Sequence, residues 1–239
     1  GDVGVQGVPL SSLKDMEALT AGVPLDKVNY SVVISTSPAP IILAQYIAAA
    51  EKQGVDKAKL RGTIQNEPIL GRYRGYEPST RHLDLCKKMA GDVIEYCVKD
   101  MPLWNPINVN LAILQTFYIG IPMEMATTLS AAIAHIREAL RRGLDIDEIA
   151  PRMAFFWSSD IQLFEEAAKL RAARRLWAKI MREEFGAQNP RSWMFRVGCQ
   201  AAGYPLFPQE PLNNIIRLTY QTLALILCGA QSIYVPGYD

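Results

Sequence analysis

Residues 153–199, MAFFWSSDIQLFEEAAKLRAARRLWAKIMREEFGAQNPRSWMFRVGC, contain a strand, a helix and a second strand in that order. The run Met153–Trp157 is continuously apolar, which is typical of a strand in a parallel sheet that is buried on both faces. The segment Gln162–Phe185 has helical periodicity and ends before Gly186, a residue suited to closing a helix. The run Trp193–Cys199 predicts a second strand. This βαβ unit indicates an α/β fold.

The same alternation extends along the whole chain. The other predicted strands are Val3–Leu10, Tyr30–Ser35, Leu60–Gln65, Ile107–Leu114 and Gln231–Val235. The other predicted helices are Ser12–Thr20, Pro40–Gln53, Ser79–Met101, Met123–Arg142 and Pro211–Leu227. Seven strands separated by six helices predict a TIM-type (β/α) barrel, with a doubly wound sheet as the alternative. We expect residues 1–239 to form a single barrel domain, since no linker or low-complexity segment interrupts the pattern.

Composition places the chain among ordinary globular proteins. Of its 239 residues 49% are hydrophobic and 21% charged, which excludes an intrinsically disordered chain. Its net charge of +1 gives no electrostatic reason to expect a nucleic acid or an anionic membrane as partner. The four cysteines lack metal-ligand spacing, so no metal site is predicted. Without a visible signal peptide or membrane span, we expect a cytoplasmic protein.

Function in such a barrel lies at the carboxyl ends of the strands and in the loops that follow them. Asp160 and Glu67 are the candidate catalytic bases, because burial in an apolar pocket would raise a carboxylate pKa. The structural alternatives are a helix cap for Asp160 and a loop brace for Glu67. The candidate ligand-binding residues share this strand-end placement: Gln65, Gln115, Tyr118, Trp157, Ser158, Cys199, Gln200, Tyr204 and Tyr234.

Other side chains are less suited to chemistry. No histidine lies in a strand-end loop to activate Cys199, which favours a small buried apolar role for that thiol. The two histidines, His82 and His135, fall inside helical patterns, and we expect both to be exposed and structural. The lysines, Lys169 among them, fall in helices or helix-flanking loops of the outer ring, so no Schiff-base lysine is predicted in the pocket.

Several long motifs resemble those of one known family. They are GTIQN (62–66), NPINV (105–109), IDEIAPRMAFFW (146–157), KLRAARRLWAKIM (169–181), NPRSWM (189–194), PLNNIIR (211–217) and GAQS (229–232). Over nearly its whole length the chain resembles the large-subunit barrel of adenosylcobalamin-dependent acyl-CoA mutases of the methylmalonyl-CoA and isobutyryl-CoA type. The resemblance implies an eight-stranded barrel with acyl-CoA along its axis, and a separate cobalamin-binding domain.

The chain departs from that family at the strand ends. The Tyr-His pair that follows NPINV in the family reads Ala112-Ile113 here, so the histidine that the resemblance places against the thioester is replaced. The family's Asp-x-His-x-x-Gly cobalamin motif is not found in the sequence. One strand and its flanking helices are missing from the pattern. Bulky side chains are expected to narrow the bore: Phe117, Tyr118, Ile119, Phe207 and Tyr234.

These departures predict a mutase-derived scaffold with an apolar pocket re-engineered for a small organic ligand and a designed proton-transfer step. We expect no cofactor, no unaided mutase activity, and self-association that covers the open barrel edges. A naturally degenerate relative is the alternative to design. There are two alternative functions. One is an acyl-CoA-binding barrel that acts with a separate cobalamin subunit, and the other is a non-catalytic scaffold.

Overall fold

The computed structural model describes residues 7–34, 38–71, 83–110, 112, 114 and 119–239. Its strands are β1 (Asn29–Val32), β2 (Arg61–Ile64), β3 (Trp104–Asn105), β4 (Ile107–Asn110), β5 (Met153–Ser159), β6 (Val197–Ala201) and β7 (Ser232–Tyr234). Its helices are α1 (Leu13–Thr20), α2 (Ala39–Lys52), α3 (Pro68–Gly71), α4 (Leu83–Asp100), α5 (Ile121–Arg141), α6 (Ile146–Ile149), α7 (Leu163–Glu183) and α8 (Pro211–Leu227).

All strand pairs are parallel, and the strands lie side by side in chain order. They form a three-stranded sheet, β1-β2-β3, and a four-stranded sheet, β4-β5-β6-β7. Pro106 separates β3 from β4, because proline has no N–H to continue the hydrogen-bond ladder. Within the described residues the order never reverses, as a doubly wound sheet would require. The connectivity is therefore that of a partial TIM-type barrel.

Several predicted boundaries differ from the observed ones. Residues 1–6 of the predicted strand Val3–Leu10 lie outside the described residues, and residues 7–10 are not in a strand. The prediction of a strand from Trp193 is wrong, because Pro190–Trp193 forms a 3-10 turn in which the Asn189 side chain accepts from the Arg191 N–H. The predicted helices appear as α1, α2, α4, α5, α7 and α8, although residues 79–82 of one prediction are not described.

The outward faces of the strands pack against the helices. Phe155 of β5 lies edge-on to Trp177 of α7, with ring centroids 5.0 Å apart, and stacks on Phe195 at 4.0 Å. In the other sheet Tyr30 stacks on Tyr46 of α2. Gly62 is required there, since a Cβ at this position would lie 2.4 Å from the Tyr30 carbonyl oxygen. These contacts establish which face of each strand points away from the helices.

The opposite face of the strands, here called the lumen face, is mostly polar, although Ala154 and Phe156 of β5 also point to it. Successive strand residues point to opposite sides, so the neighbours of the outward-facing residues point inward. Cα partners in the ladders, such as Ser158 with Gln200 and Gln200 with Tyr234, place these side chains on one surface. The polar members of the lumen face are Asn29, Ser31, Arg61, Thr63, Gln65, Asn105, Asn108, Asn110, Ser158, Gln200, Ser232 and Tyr234.

None of the described helices has both the length and the apolar character needed to cross a bilayer.

Candidate functional site at the strand ends

A hydrogen-bonded chain of side chains links the ends of β4, β5 and β6. Gln200 Nε2 donates to Ser158 Oγ over 3.0 Å, and Ser158 Oγ donates to the Ala112 carbonyl over 3.1 Å. The Ala112 N–H in turn donates to Asn110 Oδ1 at 3.0 Å. The structure therefore brings together two predicted site residues, Ser158 and Gln200, on the lumen face. Ala112, the first residue of the pair that stands in place of the family's Tyr-His, takes part in the same set of hydrogen bonds.

Gln65 brings a buried amide to the end of β2. Its N–H donates to the Val32 carbonyl at 3.0 Å, while its side-chain Oε1 is buried without a hydrogen-bond partner among the described residues. Leaving such an oxygen unsatisfied costs about 1–3 kcal/mol, so it is suited to accept from a ligand or a water molecule. The next residue, Asn66, donates to the carbonyls of Ala90 and Pro106 and fixes the loop.

Glu67 forms a buried pair with His135 of α5. Its Oε1 accepts from the Ile69 N–H at 2.8 Å and lies 3.0 Å from His135 Nε2. These bonds agree with the loop-bracing alternative for Glu67. The expectation that His135 is exposed is wrong, since its side chain is 4% exposed. Its spacing of seven and three residues from Thr128 and Ala132 places it on the buried face of α5, a signal present in the sequence.

Asp160 is joined to another predicted site residue, Tyr204. The Tyr204 hydroxyl donates to Asp160 Oδ2 over 2.5 Å, and Asp160 Oδ1 accepts from the Ile161 N–H at 2.7 Å. Burial, followed by the bond to Asp160, raises the Tyr204 pKa well above its ordinary value. Asp160 thus anchors the loop after β6 to the end of β5, and neither of these bonds caps the first turn of α7.

A buried ion cluster lies directly behind the end of β5. Lys169 Nζ is 3.2 Å from Glu124 Oε2, 2.6 Å from Glu166 Oε2 and 2.9 Å from the Ser158 carbonyl oxygen. All three charged side chains are at most 2% exposed. Burial raises the pKa of Glu166. Sequence reasoning missed this cluster, although Glu166 and Lys169 share a helix face with Leu170, Ala173 and Trp177.

The ion cluster and the Asp160–Tyr204 pair border one cavity of about 200 Å³. Four of its lining residues carry carboxylates: Glu124, Asp160, Glu165 and Glu166. The lining of this cavity is mixed, because Ile119 and Ile121 lie beside the carboxylates, so the apolar pocket predicted at the strand ends stays a prediction. A cavity rich in acceptors suits a ligand that donates hydrogen bonds, such as one with hydroxyl groups.

Two predicted ligand-binding residues face away from the lumen. Trp157 is fully buried against Phe195, with ring centroids 5.2 Å apart. Cys199 is also fully buried, and burial raises its thiol pKa to about 12. Both predictions are corrected for one reason: their strand positions alternate with Ser158 and Gln200, so they pack against helices. The small buried role expected for the Cys199 thiol agrees with this placement.

The remaining predicted residues divide into two groups. Tyr234 is exposed on the lumen face of β7. Phe207 lies under the Arg217 guanidinium of α8, 4.8 Å from it, so the expectation that Phe207 narrows the bore is wrong. Gln115, Phe117 and Tyr118 lie outside the described residues. Within the described part of the chain, no three His, Cys, Asp or Glu side chains are grouped as metal ligands.

Comparison with known proteins gives a match over the entire chain. Residues 1–239 match the family described as methylmalonyl-CoA mutase. The chain is 40% identical to the 2-hydroxyisobutanoyl-CoA mutase large subunit of Aquincola tertiaricarbonis, covering 100% of this chain and 42% of that protein. It is 38% identical to methylmalonyl-CoA mutase of Rhizobium meliloti (strain 1021) and 36% identical to the mitochondrial enzyme of Homo sapiens, each over the full chain. It covers 33% and 32% of those two proteins.

The match overturns the expectation that the chain uses no cofactor. The matched family is the one that the motifs resemble, and that resemblance implies adenosylcobalamin as the cofactor. That expectation inferred the loss of a cofactor from the missing cobalamin motif, although a barrel can face a cofactor that another domain holds.

Proposed function

Because the chain belongs to the methylmalonyl-CoA mutase family, we propose that it is the barrel part of an adenosylcobalamin-dependent acyl-CoA mutase and binds an acyl-CoA thioester along its lumen. In this proposal residues 1–239 form one barrel domain. The observation that carries it is the polar lumen face. TIM barrels ordinarily fill their interior with layers of valine, isoleucine and leucine, whereas this one presents hydroxyls and amides.

The lumen face suits a long polar chain. Thr63 Oγ1 accepts from Asn105 Nδ2 at 3.0 Å, and both side chains are only partly buried. Asn108 Oδ1 is buried and has no hydrogen-bond partner among the described residues. Short side chains such as these leave space along the axis and offer partners to the amides of a pantetheine arm.

A cation lies at the amino-terminal end of the same face. Arg196 precedes β6. It lies two residues before Gly198 and four before Gln200, so in an extended chain its side chain points to the lumen face as theirs do. Its Nη1 donates to Asn105 Oδ1 over 3.3 Å and to the Pro151 carbonyl. A guanidinium at this end suits the phosphates of CoA, while the acyl group lies at the strand ends.

The strand-end residues favour an uncharged acyl group. Among the described residues there, the buried cation Lys169 is already paired with Glu124 and Glu166, and the cavity carries carboxylates. A free carboxylate on the acyl group, as in methylmalonyl-CoA, would be repelled by the carboxylates of the cavity. Gln200 and Gln65 would instead bind the thioester carbonyl and, where a small branched acyl group carries one, its hydroxyl. The name of the 40% identical relative, a 2-hydroxyisobutanoyl-CoA mutase, agrees with this substrate class.

The described residues fit one part of the cofactor better than another. The acceptor-rich cavity of Asp160, Glu166 and Tyr204 suits the hydroxyl-bearing nucleoside of adenosylcobalamin. Among the described residues the one histidine, His135, is bonded to Glu67 and is not free to coordinate cobalt. The family resemblance implies that a separate domain or subunit holds the corrin. When bound, the cofactor supplies the radical that starts the carbon-skeleton rearrangement. The barrel residues bind and orient the substrate and keep water from it.

A second candidate is the re-engineered barrel with a small organic ligand and a proton-transfer step at Asp160. The Tyr204–Asp160 bond beside a cavity of about 200 Å³ favours it, since a hydroxyl already donates a hydrogen bond to a carboxylate there. Self-association through open strand edges remains part of that candidate. A non-catalytic scaffold would bind neither ligand class.

Thermal unfolding with added ligands separates these candidates. A ligand at one hundred times its Kd stabilises a folded protein by about 2.7 kcal/mol. We expect 2-hydroxyisobutyryl-CoA and isobutyryl-CoA to raise the Tm, and methylmalonyl-CoA to raise it less. Free branched acids and small aromatic compounds should leave it unchanged. Stabilisation by the aromatic compounds and by none of the CoA esters would overturn the proposal in favour of the second candidate.

A further inference from the structure

The outward face of α8 is apolar. The helix buries Asn214, Leu218, Gln221, Ala224 and Leu225. On the opposite side are five large side chains that are 41% to 71% exposed: Leu212, Ile216, Tyr220, Leu223 and Leu227, here called the α8 stripe. Spacings of four, four, three and four residues align them along the helix. The outward face of a surface helix is ordinarily charged or polar, so this stripe requires an explanation.

The stripe continues into an apolar groove on one side. Residues 235–238 run beside α8 and enclose with it a groove of about 590 Å³. Ile215, Ile226, Val235 and Tyr238 are among its lining residues. Neighbouring elements of the barrel layer contact a helix from its sides. The stripe lies directly opposite the buried face, and such neighbours do not reach it.

A row of positive charges lies on the other side of the stripe. Arg171, Arg175, Lys179 and Arg182 are all exposed on the outward face of α7, here called the α7 row. Arg174 donates to the carbonyls of Cys228 and Gly229, which holds α7 alongside the end of α8. Within the described residues Lys179 has a carboxylate partner, Glu183 at 3.8 Å, while Arg171 and Arg175 have none.

We propose that the α8 stripe and the α7 row together dock an amphipathic helix of a partner protein, one with an apolar stripe and acidic residues along one edge. The apolar side chains of the partner helix would pack on the α8 stripe and enter the adjoining groove. Its acidic edge would lie over the α7 row. A second copy of this chain fits less well. An antiparallel two-fold pairing of α8 stripes places the two α7 rows on the same side, where like charges repel, and a parallel pairing places each row over the partner's apolar groove.

Two synthetic helical peptides test this chemistry on the full chain. Both carry leucines at stripe spacing, and one has glutamates and the other lysines along a single edge. Fluorescence anisotropy should show the acidic peptide binding at least about tenfold more tightly. Ile216→Gln with Leu227→Gln should weaken that binding about tenfold or more. Arg171→Gln with Arg175→Gln should reduce the preference between peptides. Ile41→Gln, at a residue of α2 that is 58% exposed, is the matched control and should change neither.

Several results would overturn the proposal. One is equal binding of the two peptides, or binding of neither. Another is acidic-peptide binding that survives the Ile216 and Leu227 substitutions. A dimer in sedimentation that these substitutions dissociate would assign the stripe to a second copy. Binding to phosphatidylserine vesicles that the same substitutions abolish would assign it to a lipid surface.

Discussion

The ammonium of Lys169 lies 2.9 Å from the main-chain carbonyl oxygen of Ser158. This bond ties the outer helix α7 to the end of β5 at the residue whose hydroxyl accepts from Gln200. A buried cation on the helix side of the sheet therefore sets the position of a polar group on the lumen side. The site depends on residues that never face the substrate.

Removal of the buried cation should strongly destabilise the fold. Lys169→Met removes the buried cation that pairs with Glu124 and Glu166, and the loss of one partner of a buried ion pair costs about 3–5 kcal/mol. Urea unfolding followed by circular dichroism measures the change. Lys179→Met, on the exposed side of the same helix, should stay within about 0.5 kcal/mol. Equal losses for the two variants would contradict a paired role for Lys169.

Substitution of His135 should affect the loop that follows β2. His135→Phe removes one partner of the buried Glu67 carboxylate, and we expect a loss of about 1–3 kcal/mol in the free energy of unfolding. His135→Gln can still donate to Glu67 and should lose less. Denaturant titration of both variants is the measurement. A Phe variant as stable as the parent would show that the pair contributes nothing.

Gln200 should contribute to ligand binding more than to stability. Gln200→Leu removes the donor to Ser158 and the amide that faces the lumen, so the Kd for a CoA thioester should rise about tenfold. Isothermal titration calorimetry gives the affinity. The control is Gln188→Leu, which changes an exposed amide bonded to the Gly186 carbonyl. Unchanged affinity in the Gln200 variant would remove this residue from the site.

Sequence reasoning located elements better than it oriented their side chains. The predicted bounds of α8, Pro211–Leu227, are confirmed, and Gly229 lies just beyond its end as the sequence indicated. The predicted orientation of the Trp157 and Cys199 side chains was wrong. A continuously apolar strand shows no alternation of polar and apolar residues, so its sequence does not tell which side chains face the lumen and which face the helices. Ladder register with neighbouring strands decides it. Lys169 was missed because its partner Glu124 comes from another helix, 45 residues away in the chain.

The acid limb of stability should depend on Glu138. Bonds from Arg141 and then Arg142 lower the pKa of Glu138 to about 2 from its ordinary 4.5. A lowered folded-state pKa gives stability that is present above pH 4.5 and is lost as the pH falls toward about 2. Glu138→Gln should flatten that part of the curve of unfolding free energy against pH. Glu51→Gln, at an exposed site, is the control and should leave the curve as steep as in the parent. An equally steep curve for Glu138→Gln would contradict the role given to Glu138.

Pro106 divides more than a hydrogen-bond ladder. The strands before it, with α1 and α2, enclose one hydrophobic cluster around Tyr46 and Trp104, while β4 to β6 with α5 and α7 enclose another around Phe155 and Trp177. Each part thus has its own sheet and its own core, and α4 contributes Val93 to one and Ile94 to the other. Cooperative units of this kind open with separate free energies. Amide hydrogens on the two sides of this proline should therefore exchange with solvent as two populations. Because α4 packs into both cores, it is the element through which the opening of one part affects the protection of the other.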